Sequence, residues 1–148
     1  FHPSGKYGYV INELDSTVVA YEYSPGSLTP IQTLSALPDS FSGENTGADI
    51  HCTSDGSLLF ASNRGHDSLA RFRIDPESGT LTEYGYIATH GRTPRNFAVG
   101  TGELDGLVFA ANQESDSVVL LGHARNEAFP EAPEAAVEVP KPVCIYID

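Results

Sequence analysis

The chain has 148 residues, with eight Lys and Arg against twenty Asp and Glu, for a formal net charge of −12. That balance excludes nucleic acid and anionic membrane surfaces as partners, because both are bound chiefly through Lys and Arg, and no apolar run reaches the roughly 18 residues that cross a bilayer. A hydrophobic content of 40%, with seven Tyr and seven Phe to anchor a core, excludes a disordered chain.

In chain order, the turn Pro3-Ser4-Gly5 opens a first β-rich run that ends at Asn12. Val18-Val19-Ala20-Tyr21 is the second run, followed by the turn Pro25-Gly26-Ser27 and a strand near 28–34. The same order then returns. Gly56 opens the run Leu58 to Asn63, Leu69 to Phe72 follows, and the turn Pro76-Glu77-Ser78-Gly79 leads into a strand near 81–88. It starts a third time at Gly106, with Leu107 to Asn112 and then Val118 to Leu121. Arg125 to Val139, rich in Glu, Ala and Pro, predicts a long loop with a degenerate outer strand, and Pro142 to Asp148 predicts one last strand.

A period of about 50 residues makes each unit one supersecondary repeat. Four antiparallel strands per repeat, labelled a to d from the centre outward, predict an all-β chain: a β-propeller of about three four-stranded blades. The blades run over about 1–47, 48–92 and 93–141, with the first lacking most of strand a and 142–148 forming strand a of a further blade. Three blades cannot close a ring, and an open stack leaves sheet edges exposed. The chain is therefore expected to be the C-terminal part of a larger propeller whose remaining blades complete it; the lack of any Met is consistent with this. Cys52 and Cys144 have no partner at metal-ligand spacing, which predicts two free, buried, structural thiols, a reducing compartment and neither a metal nor another cofactor.

Blade topology turns this spacing into a map. Strand b climbs to the top of the blade and ends at Asn12, Asn63 or Asn112, so the next residues, Glu13, Arg64 and Gln113, occupy one position in three neighbouring blades. The loops that enter strand a add Asp49 and Arg95 to the same end of the channel, and His51 lies just inside strand a. A loop position that changes from Glu to Arg to Gln on a constant frame is where sites are built. The three asparagines suit turn capping. Asn63 and Gln113 are also candidates for contact with a ligand, and Arg95, held by Pro94, suits bidentate recognition of a carboxylate or phosphate.

Phe1-His2-Pro3-Ser4-Gly5-Lys6-Tyr7, Asn12-Glu13-Leu14, Ser62-Asn63-Arg64-Gly65-His66-Asp67-Ser68, Thr93-Pro94-Arg95-Asn96-Phe97, Ala111-Asn112-Gln113 and Pro142-Val143-Cys144 resemble the lactonase family of seven-bladed β-propellers. That family includes bacterial propeller-type 6-phosphogluconolactonases and fungal carboxymuconate-lactonizing enzymes. The resemblance implies a seven-bladed ring and a channel-mouth site whose glutamate falls on Glu13 and whose arginines fall on Arg64 and Arg95. Two further family residues lie before Phe1, so the fragment alone is expected to be inactive.

The expectation is a cytoplasmic, metal-independent lactone hydrolase acting on 6-phosphogluconolactone in the pentose phosphate pathway. Glu13, activated by burial, would be the general base. Arg64 would stabilise the oxyanion, Arg95, Asn63 and Gln113 would bind the anionic substrate, and His51 would help to protonate the leaving group. Two alternatives stand beside it: a carboxymuconate cyclase using the same carboxylate and arginines, and a non-catalytic propeller scaffold.

Overall fold

The computed structural model describes residues 1–147. Strands β1 (Tyr7–Asn12), β2 (Thr17–Ser24) and β3 (Ser27–Ser35) form a three-stranded antiparallel sheet. Strands β4 (Thr46–Cys52), β5 (Leu58–Arg64), β6 (Ser68–Ile74) and β7 (Leu81–Ala88) form a second sheet, in chain order. Strands β8 (Pro94–Val99), β9 (Leu107–Asn112), β10 (Ser117–His123) and β11 (Ala135–Glu138) form the third. These are propeller blades, the first without its strand a. The short β11 is the outer strand expected inside the long Glu-rich loop. Among the described residues no helix is long and apolar enough to cross a membrane.

The middle blade explains its own sequence. Successive strand residues point to opposite faces. Leu59, Ala61, Ala70 and Phe72 pack with Tyr7, Tyr9 and Val18 of the first blade, while Leu58, Phe60 and Leu69 pack with Phe97, Val108 and Leu121 of the third. A sheet covered on both faces needs a continuous apolar run rather than an alternating one, and Leu58 to Asn63 are all buried. The first blade shows the converse: Val10 and Leu28 are left 44% and 49% exposed.

The recurring asparagines do more than cap turns. Asn12 Nδ2 spans its own turn to Thr17 Oγ1 at 2.9 Å, but Asn63 Nδ2 donates to the Ala36 carbonyl at 2.7 Å and Asn112 Nδ2 donates to the Thr89 carbonyl at 2.8 Å. Ala36 and Thr89 directly follow the outer strand of the preceding blade, so each amide latches one blade to the next. Asn112→Ala is expected to lower stability by about 1–3 kcal/mol, the cost of leaving a buried carbonyl unpaired; urea unfolding measures it.

A second latch joins inner strands. Asp49 Oδ2 accepts the Phe97 amide at 3.3 Å, and one blade later Asn96 Oδ1 accepts the Ile145 amide at 2.6 Å. This bond fixes the closing segment, yet residues 142–147 form no sheet strand, contrary to expectation, and Asp148 lies outside the described residues. A strand requires a neighbour, and among the described residues no strand pairs with this segment. Cys144, expected to be buried, is exposed on it. Cys52 is half-buried, and burial pushes its thiol up to about 11.

Candidate functional site

Glu13 follows β1, Arg64 ends β5, and Arg95 lies near the start of β8. The three converge on one cavity of about 260 Å³, lined also by Ile11, Gly47 and Ala48. Arg64 Nη2 donates to Glu13 Oε1 at 2.6 Å and to the Gly47 carbonyl at 3.0 Å. Arg95 is exposed, and its guanidinium makes no hydrogen bond or ion pair among the described residues. A carboxylate and the guanidinium tied to it therefore share a cavity that a second arginine also lines.

Burial divides the ion pair. The Arg64 side chain is only 16% exposed, whereas that of Glu13 is 64% exposed. Glu13 follows β1, the open edge of the three-stranded sheet, so no inner strand covers it in this chain. The Arg64 Nε is buried with no partner among the described residues, so the guanidinium is held by its Nη2 contacts and by packing.

The other three candidates stand apart from the cavity. His51 Nε2 lies 3.0 Å from Asp49 Oδ2, and its ring packs edge-on against Phe97 with centroids 4.9 Å apart. Asn63 is fully buried, with its amide nitrogen on Ala36 and its Oδ1 accepting from Asn45 Nδ2 at 3.0 Å. Gln113 reaches the top of the third blade, where its backbone amide donates to the Thr93 carbonyl at 3.0 Å, but it does not line the cavity.

Four residues with no assigned role organise the site. Gly47 donates its amide to the Glu13 carbonyl at 2.8 Å and accepts from Arg64. A Cβ there would lie 2.6 Å from Ile11 Cγ1 and 3.1 Å from the Asn12 carbonyl, so only glycine lets β4 approach β1 this closely. Asp67 Oδ1 accepts the Thr93 amide at 2.8 Å and the Gly65 amide at 3.4 Å, tying the Arg64 loop to the Arg95 loop. Thr93 has φ 60°, a strained value for a β-branched residue, and its carbonyl accepts the Arg95 amide at 2.7 Å. The signal for Gly47 was available in the repeat: Thr46-Gly47-Ala48-Asp49 aligns with Thr93-Pro94-Arg95-Asn96 one blade later.

Asp49 is the fourth, and its ionisation bears on stability. Burial acts to raise its pKa, but the hydrogen bond and charge of His51 and the Phe97 and Ile50 amides outweigh that and hold it below its usual 3.8. A depressed native pKa adds stability above the unfolded value and loses it as pH falls through the native one. Asp49→Asn, which copies the residue at the equivalent position 96, is therefore expected to be less stable than wild type at neutral pH. That difference should vanish on acidification through and below 3.8, as read from urea midpoints across pH. A difference that persists unchanged in acid would show that the charge is not what Asp49 contributes. Among the described residues, no group of three or more His, Cys, Asp or Glu could hold a metal ion.

The sequence matches the family described as lactonase, 7-bladed beta-propeller, over residues 1–147. It is 39% identical over 147 residues to 6-phosphogluconolactonase of Bacillus subtilis, covering 98% of this chain and 42% of that protein. Among solved structures it is similar to the periplasmic gluconolactonase PpgL of Pseudomonas aeruginosa, with a TM-score of 0.87 and 30% identity over 96% of this chain and 39% of that one. A protein from Lactobacillus plantarum matches with the same TM-score of 0.87 and 30% identity, over 97% of this chain and 42% of that one. The chain spans about two-fifths of the length of these relatives.

Proposed function

Because the chain belongs to the lactonase family of seven-bladed β-propellers, we propose that its channel-mouth cavity serves lactone hydrolysis, with 6-phosphogluconolactone as the substrate. The observation that carries this reading is the convergence of Glu13, Arg64 and Arg95 on one cavity. Similarity to the 6-phosphogluconolactonase of Bacillus subtilis supports the choice of substrate.

In this scheme Glu13 takes a proton from water as the water oxygen attacks the lactone carbonyl. One carboxylate oxygen is held by Arg64 Nη2 at 2.6 Å, which leaves the other to accept that proton. Arg64 is already in place for the negative charge that develops on the carbonyl oxygen, and charge positioned before reaction lowers the barrier most. As the tetrahedral intermediate collapses, the ring C–O bond breaks and the protonated Glu13 returns its proton to the departing oxygen. His51, held by Asp49 and Phe97, is not required for that transfer. Arg95 holds the phosphate. A local guanidinium is necessary because the overall charge of −12 opposes an anion's approach.

The three blades are the part of the ring that carries this cavity, and the further blades are required for turnover. A phosphorylated sugar lactone is charged and does not cross membranes unaided, so this substrate places the protein in the cytoplasm, within the pentose phosphate pathway. The test follows proton release as 6-phosphogluconolactone opens, above the spontaneous rate, with the seven-bladed protein that contains these blades. Acceleration supports the reading, and its absence overturns it.

A further inference from the structure

A second depression, of about 660 Å³, lies on the other side of Arg64. Its wall is made of top-face loops: Leu14 from the first blade, Glu44 and Thr46 at the entry to the second, and Thr93 at the entry to the third. The cavity with Glu13 and Arg95 lies further in, where Gly47 and Ala48 of β4 form its side. Arg64 belongs to both spaces, so a molecule whose carbonyl rests on Arg64 extends into both.

The two spaces differ in charge. The inner one is lined by a second arginine, Arg95. The outer one has no cation among its lining residues except the shared Arg64, and Glu44 lines it with an exposed side chain that makes no hydrogen bond or ion pair among the described residues. The hydroxyls of Thr46 and Thr93 are likewise without partners there.

The segment that presents these groups is nevertheless rigidly built. Asn45 Nδ2 donates to Ser16 Oγ at 2.8 Å and to Asn63 Oδ1 at 3.0 Å, and Asn45 Oδ1 accepts the His66 amide at 3.0 Å. Gly65, at φ +126°, packs so closely on the Glu44 carbonyl that a Cβ would collide with it. Asp67 holds Thr93 in place from below. Free polar groups on a fixed frame bind without paying for their own ordering.

Building on the lactone-hydrolase reading, we infer that this outer depression is a subsite for the ring hydroxyls of a polyhydroxy lactone, with Glu44 as its specificity determinant. A carboxylate accepts hydrogen bonds from sugar hydroxyls, and the two threonine hydroxyls donate or accept as the ring requires. The same carboxylate repels a ligand that carries carboxylates of its own, so the site selects a polyol lactone against a polycarboxylate one. The anionic end of the substrate then turns inward to Arg95.

The test uses two non-hydrolysable lactams, gluconolactam with its ring hydroxyls and valerolactam without them, titrated calorimetrically into the seven-bladed protein. Wild type is expected to prefer gluconolactam. Glu44→Ala is expected to weaken gluconolactam about tenfold, as for one charge-assisted hydrogen bond, and to leave valerolactam unchanged. Thr46→Val is expected to act in the same direction with a smaller effect. Equal affinity for the two lactams, no binding of either, or a Glu44→Ala affinity equal to wild type overturns the subsite. Lactam selectivity without lactone turnover would sink the hydrolase reading and leave the subsite standing. Turnover without selectivity would do the reverse.

Discussion

Glu13→Gln is expected to cut lactone hydrolysis by the seven-bladed protein by about 10²–10⁴-fold, the usual loss when a general base is removed. Glutamine keeps an oxygen that can accept from Arg64 Nη2, so the 2.6 Å contact to the guanidinium has a replacement acceptor. What disappears is the basicity and the negative charge. With that charge gone from beside Arg64 and Arg95, 6-phosphogluconate is expected to bind as tightly as to wild type or more tightly. Glutamine matches glutamate in size and shape and keeps that acceptor, so an unfolding trace should overlay that of wild type. Turnover that survives the substitution would remove Glu13 from the mechanism while leaving the reaction class intact. Loss of turnover together with loss of phosphogluconate binding would point to damage of the whole cavity rather than of the base.

Arg64→Lys is expected to cost about 10²–10³-fold in turnover, the range seen when one oxyanion donor is removed. Formal charge is conserved, so a loss on this scale would show that geometry is what matters. Arg64 Nη2 touches Glu13 Oε1 and the Gly47 carbonyl together, while Nη1 is left to face a substrate oxygen. A lysine ammonium is a single point that cannot serve both directions at once. Because the same group holds Glu13 in place, Glu13→Gln and Arg64→Lys should be non-additive in turnover, the double variant being little worse than the poorer single one. Near-wild-type turnover in Arg64→Lys would reassign Arg64 to a structural ion pair, and additive losses would show that the two residues act independently.

The repeat carried most of the fold into the sequence. Glycine before strand b, asparagine at its end and a Ser or Thr five residues later recur because each blade solves the same packing problem, and local turn chemistry is written in local residues. Glu13, Arg64 and Arg95 could be placed at one channel end on the same basis, since strand direction follows from strand order. Contacts that join blades were harder to read. The amide of Asn112 meets Thr89, 23 positions earlier, and Asp49 accepts from Phe97 across a blade boundary; such pairings depend on how blades stack, which a period does not encode. The repeat aligns Gly47 with Pro94, but why a glycine is needed there shows only against Ile11 and Asn12 of another sheet.

Spacing, composition and apolar patterning were enough by themselves to determine an acidic all-β propeller piece, and to group Glu13, Arg64, Gln113, Asp49, Arg95 and His51 toward one end of its blades. Tertiary structure alone decided which of those polar groups share a space. His51 and Asn63 lie near in sequence to the cavity residues Ala48 and Arg64, yet Asp49 and Phe97 hold the first while the Ala36 carbonyl and Asn45 hold the second. Exposure was decided in the same way: Glu13 and Cys144 are open to solvent because each sits on an edge where no neighbouring strand packs. A side chain's type follows from its codon, but its partners and its burial belong to the neighbour, and in a stacked sheet the neighbour is a blade away.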